Sequence, residues 1–218
     1  MRSNSAMGSV SDGHRVLFKA AAVMTYLLVV SGGVVCITDA SQGCPDWPIC
    51  HGRLIPPASM DSVLEWSHRL IAGLTLPVLL AALVVGWRRY RRVVWLWRPL
   101  AGAAVGILAV SAFGAIAVLS GLSRGWAAVD LGCALLTLGL MVVAARVASM
   151  AGPDPGGGVS LKAPFAGHAL LALSGVFLVQ VSGVMVAPPK SLIRCLGWAW
   201  FDGHDTDLLG TLGLTRAG

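Results

Sequence analysis

Leu64-Glu-Trp-Ser-His-Arg-Leu-Ile-Ala-Gly-Leu-Thr-Leu-Pro-Val-Leu-Leu-Ala-Ala-Leu-Val-Val-Gly-Trp87 decides the fold. Past its first turn, which carries Glu65, His68 and Arg69, the stretch holds no charge until Arg88. A bilayer core is about 30 Å thick, and a helix needs roughly 20 apolar residues to cross it. Four other stretches meet that requirement: Val16 to Ile37, Leu100 to Leu119, Ala127 to Val147 and Phe165 to Ala187. The whole chain agrees. Of its 218 residues, 56% are hydrophobic and 12% charged, about half the charge fraction of a soluble domain, and the mean hydropathy is +0.77. Inside lipid every backbone polar group must be satisfied within the segment, so helices are expected. The expected fold class is all-α integral membrane: an antiparallel four-helix bundle, a fifth transmembrane helix and an outside C-terminal tail. Because the first apolar run exceeds a signal-peptide core and no small-x-small site follows it, a retained helix is expected there.

Charge sets the expected orientation. Arg2, Arg15, Lys19, Arg88, Arg89, Arg91, Arg92, Arg98, Arg146 and Lys162 fall on one side of the spans. Six other basic residues fall opposite, together with Asp39, Asp46, Asp61, Glu65, Asp202, Asp205 and Asp207. The first side is read as cytoplasmic, with the C-terminus outside a plasma membrane. The formal charge of +6 then reports orientation and lipid contact, and no nucleic-acid partner is expected. Tryptophans such as Trp66, Trp87 and Trp126 stand at span ends, where amphipathic rings meet headgroups. The domains follow: 1–15 cytoplasmic; 16–147 the bundle, with an outer loop at 38–63; 148–164 a linker rich in glycine and proline; 165–218 the fifth helix and tail.

Cys36 and Cys133 lie in apolar runs and read as small hydrophobes. Cys44 and Cys50 share the outer loop, in an oxidising space where a disulfide fits. A metal site would need more ligands than His51 adds, and a redox dithiol would normally show a closer C-x-x-C. At the head of the second span, Glu65 and His68 share a helix face. A histidine entering a membrane helix usually marks function, and neutral imidazole is a common axial ligand of heme iron. A carboxylate one turn away can exchange protons beside it. The plainer alternatives are a capping box from Ser62 to Glu65, an interfacial hydrogen bond for His68, and an Arg69 paired with Glu65 or with a lipid phosphate.

Gly43-Cys-Pro-Asp-Trp-Pro-Ile-Cys-His-Gly-Arg-Leu-Ile-Pro-Pro57, followed by Glu65-Trp-Ser-His-Arg-Leu-Ile-Ala-Gly73, resembles the heme A synthase family. The similarity extends more weakly over the first four spans. The resemblance implies oxidation of the C8 methyl of heme O to a formyl group, giving heme A for terminal oxidases. It implies a Cys44–Cys50 disulfide, an essential acid at Glu65 and an iron ligand at His68, with heme O as substrate or heme b as cofactor. Oxygen would come from water, and electrons would pass to an acceptor the sequence does not name. Heme O synthase and the terminal oxidase assembly line are the implied partners. The pocket is expected between spans two and four, near the outer surface. One position departs from the family. Where it places a second histidine, at the outer end of the fourth span, this chain has Asp130. That residue could bind iron, hold a water, pair with Arg69 or Arg124, or stay solvated at the interface. A non-catalytic heme-binding or assembly protein, or a truncated remnant, is the alternative function.

Ser31-Gly32, Cys44, Trp47 and Gly52 recur at Ser182-Gly183, Cys195, Trp198 and Gly203, at one spacing of 151 residues (182 against 31). Five matches in one register indicate a duplicated unit. The second copy is expected to be incomplete, since Phe201 replaces the second cysteine, Arg216 stands for Glu65, and the position matching His68 would follow Gly218. Cys195 is expected to be unpaired. A half-size unit can pair to recreate a two-heme arrangement, so a homo-oligomer is an expectation. His14 and His51 read as exposed loop residues, His168 as interfacial, and His204 as a tail residue.

Overall fold

The computed structural model describes residues 10–38, 40–120, 124–150 and 164–186. The expected linker and tail, with Cys195 and His204, lie outside the described residues. The helices are α1 Asp12–Ile37, α2 Met60–Tyr90, α3 Val94–Leu119, α4 Arg124–Ser149 and α5 Pro164–Val186. A short 3₁₀ turn, Ala40–Gln42, follows α1. All five helices are long and apolar enough to cross a membrane, and the chain is a multi-pass membrane protein.

The spans sit where hydropathy places them, but several are longer. At 1.5 Å per residue, the 31 residues of α2 reach about 46 Å, beyond the hydrocarbon core at both ends. The helix runs on through Arg88 and Arg89 because nothing there breaks it, and it stops where the chain turns at 91–92 to enter α3. At its other end Ser59 is the N-cap and accepts from the Ser62 amide at 3.4 Å. The capping box between Ser62 and Glu65 does not form.

Helices α1 to α4 pack as a ring, α1 against α2 and α4, and α3 against α2 and α4; α5 packs on α4. Phe18, Ala21, Leu79, Ala82, Leu96, Leu100, Ala103, Met141 and Ala144 are fully buried in one cluster. These residues come from the first part of α1, the last part of α2, the first part of α3 and the last part of α4. The tight core therefore occupies the half of the bundle at the arginine end. There His14, expected in an exposed loop, lies on α1 with Nδ1 2.7 Å from the Tyr90 hydroxyl. Phe18 meets the same tyrosine edge-on.

Candidate functional site

At the opposite end, the loop between α1 and α2 folds onto the head of α2. Cys44 and Cys50 are joined by a disulfide with Cα atoms 4.6 Å apart. Cys50 and Arg53 exchange backbone bonds of 3.0 and 3.1 Å around His51 and Gly52, which both have positive φ (53° and 69°). Two left-handed residues in sequence make the tight reversal of a two-residue hairpin. Asp46 holds it: one carboxylate oxygen accepts from the His51 amide and the other from the Gly52 amide, each at 2.6 Å. The Gly52 amide above all keeps the Asp46 carboxyl below the usual carboxylate range, with His51 adding to it. Gly43 lies against the start of α2. A Cβ there would collide with the backbone of Asp61 and Ser62, and the Ser62 hydroxyl donates to its carbonyl at 2.6 Å.

Glu65 and Arg69 clasp this loop. Glu65 is 3% exposed. One of its oxygens accepts from the Cys44 amide at 2.8 Å, and the other from Arg69 at 2.5 Å. Arg69 also donates to the carbonyls of Asp46 (2.5 Å), Ile49 (2.6 Å) and Cys44 (2.9 Å). A guanidinium presents five donors in a fixed fork, and here three of its bonds bind loop to helix while a fourth holds Glu65 on the same helix. The sequence marks Arg69 only as a partner for Glu65, Asp130 or a lipid. Its grip on three carbonyls depends on a loop turn that no spacing reveals.

His68 lies one turn deeper and faces α1. Its Nδ1 is 2.8 Å from Ser31 Oγ, and a Cβ on Gly32 would stand 3.1 Å from its Cε1. No hydrogen bond to Nε2 is found among the described residues. Asp130 is on α4, beside α3: a Cβ on Gly114 would lie 3.7 Å from its Oδ1. One turn nearer the loop end, Trp126 stacks on Phe113, ring centres 5.8 Å apart. Oδ1 of Asp130 is buried with no hydrogen-bond partner among the described residues. Arg69, one of its expected partners, is spent on Glu65 and the loop. The structure thus joins Cys44, Cys50, Glu65 and Arg69 into one cluster and sets His68 and Asp130 on separate helices of the ring.

These residues fit a heme. Among the described residues, an imidazole nitrogen without a hydrogen bond, a bare glycine under the ring, a carboxylate oxygen without a partner and the end of the tight core all fall in the loop-end half. Among the described residues no group of three or more His, Cys, Asp or Glu could hold a bare metal ion, but heme iron needs only one or two axial ligands. An open apolar groove of about 510 Å³ lies elsewhere, between α4 and α5, lined by Gly132, Cys133, Phe177 and Val181 among others. Cys133 there is free. Cys36, read from sequence as an apolar filler, is instead disulfide-bonded.

The family described as cytochrome oxidase assembly protein matches residues 15–64 and 61–209. A heme A synthase of Alkalihalophilus pseudofirmus is 22% identical over 180 residues, 82% of this chain and 61% of that protein. One from Staphylococcus haemolyticus is 28% identical over 187 residues, 82% of this chain and 60% of that protein. A protoheme IX farnesyltransferase of Halobacterium salinarum is 39% identical over 69 residues, 32% of this chain and 15% of that protein. The chain spans about three fifths of the length of the two heme A synthases. No solved structure matches it.

Proposed function

This chain belongs to the heme A synthase family of cytochrome oxidase assembly proteins, and on that footing we propose that it oxidises the C8 methyl of heme O to a formyl group for terminal oxidase biogenesis. The observation that carries the reading is His68, whose Nε2 takes no hydrogen bond among the described residues and lies where the bundle's tight core gives out. In this role His68 is the protein ligand to iron, and Asp130 faces the same half of the bundle from α4. Bound heme supplies the oxidative chemistry, with water as the oxygen source and an external acceptor for the electrons. The chain's own residues bind, orient and manage protons. Glu65 keeps a spare lone pair on each oxygen, so it can accept a proton while still clasped by Arg69 and Cys44. The disulfide loop covers the loop end and limits water there. A heme farnesyltransferase is the proposed supplier of substrate, in keeping with the stretch shared with the Halobacterium salinarum protein. The proposed setting is a plasma membrane with the arginine end cytoplasmic.

The test is conversion of heme O to heme A in cells that supply heme O. Glu65→Ala and His68→Ala are expected to abolish it, and unchanged conversion would refute the site. Asp130, in place of the family's second histidine, favours one other reading: heme binding without oxidation. Purified protein that binds heme through His68 yet leaves heme O unchanged would establish that reading.

A further inference from the structure

We propose that Ser31 is the positioning residue for His68, holding its imidazole as the tautomer with the proton on Nδ1 and the lone pair on Nε2. The Ser31 hydroxyl lies 2.9 Å from the Leu28 carbonyl and 2.8 Å from His68 Nδ1. It has one hydrogen to give, and a carbonyl can only accept. Both contacts are hydrogen bonds at once in one arrangement alone: Ser31 donates to Leu28, and His68 Nδ1–H donates to Ser31. With the proton on Nε2, the serine would have to abandon Leu28 to serve Nδ1.

The second half of the chain supplies an independent observation. Ser182, which repeats Ser31, also donates back along its helix, to the Val179 carbonyl at 3.3 Å. Ser182 is exposed, and no imidazole bonds to it among the described residues. The backward bond therefore belongs to the serine on its helix and is not imposed by a histidine. Gly32 completes the seat. The Nδ1–Cε1–Nε2 edge lies over its bare Cα, where a Cβ would stand 3.1, 3.6 and 3.7 Å from Cε1, Nε2 and Nδ1. A hydrogen bond from the far nitrogen of a ligating histidine fixes its tautomer and raises its basicity. The consequence for iron rests on the reading of His68 as ligand, whereas the tautomer does not.

The experiment uses the full chain in detergent, labelled with ¹⁵N-histidine and free of heme, then titrated with hemin. The His68 signals, assigned by their loss in His68→Asn, are expected to show a protonated Nδ1 and a bare Nε2. A proton on Nε2 in the unmodified chain overturns the proposal. Ser31→Ala is expected to mix the tautomers, weaken hemin binding ~10- to 100-fold and shift the iron–histidine stretch, whereas Ser31→Thr keeps all three near the starting values. If Ser31→Ala does not fold, Ser31→Cys, of similar size but a poor acceptor, takes its place with the same expectation. Loss of hemin binding in His68→Asn, with Ser31→Ala unchanged in affinity and stretch, overturns the positioning role. Undiminished binding in His68→Asn overturns the ligand reading instead, and a proton on His68 Nδ1 in the unmodified chain still upholds the seat.

Discussion

The head of α2 and the head of α4 lie at the same end of the bundle and treat a carboxylate in opposite ways. Glu65 has a partner on each oxygen, an arginine on one and a backbone amide on the other. Asp130 has a buried oxygen with none among the described residues. An unpartnered buried polar group carries a desolvation penalty that a well-packed protein avoids. Glu65 therefore belongs first to the scaffold that holds the loop, whereas Asp130 lies outside that cluster, on α4. The longest sequence motif marks the better-satisfied region, and Asp130 the less satisfied one.

The sharpest way to break this contrast is Arg69→Ala. It strands Glu65, whose side chain is 4% exposed, and frees three loop carbonyls. Removing one member of a buried pair costs about 3–5 kcal/mol, so thermal unfolding in detergent should show a large loss. A change below about 1 kcal/mol, the usual worth of an exposed pair, would mean that the clasp is ornamental. Cys44→Ser should cost about 2 kcal/mol, as expected for opening a short loop, and should leave the α2 clasp in place. Asp130→Leu should move the other way, raising stability by about 1–3 kcal/mol as the lone polar atom is removed, while heme retention falls. Destabilisation by that change would reveal a partner for Asp130. The smallest effect is set by pH. Asp46 has a lowered pKa, so its contribution is present above the ordinary carboxylate range and is lost as pH falls through the lowered value, below about 4. Protease cleavage of the loop should rise across that window, and Asp46→Asn should flatten the response.

Much of the fold was legible, because an apolar run of spanning length has few alternatives in lipid. The boundaries were less so. Ser59 and Ser62 are both acceptable caps, and only the packing of Gly43 on α2 favours the earlier one. At the site, Glu65 and His68 stand out as polar residues at a span head. Ser31 does not, because a serine within a hydrophobic helix reads as a small filler; its recurrence at Ser182 was the available signal. Gly32 was visible for the same reason, but its use as a seat for an imidazole requires α1 and α2 to be side by side.

The three bonds from Arg69 to the loop carbonyls have a mechanical consequence. They rivet the loop to the helix beneath it, so loop and α2 head travel as one body. Such a cap cannot swing open like a door to the aqueous side. Under the proposed function, a ligand as large and greasy as a farnesylated porphyrin would therefore approach His68 sideways, by diffusion within the bilayer and passage between helices, and its product would leave into the same two-dimensional phase.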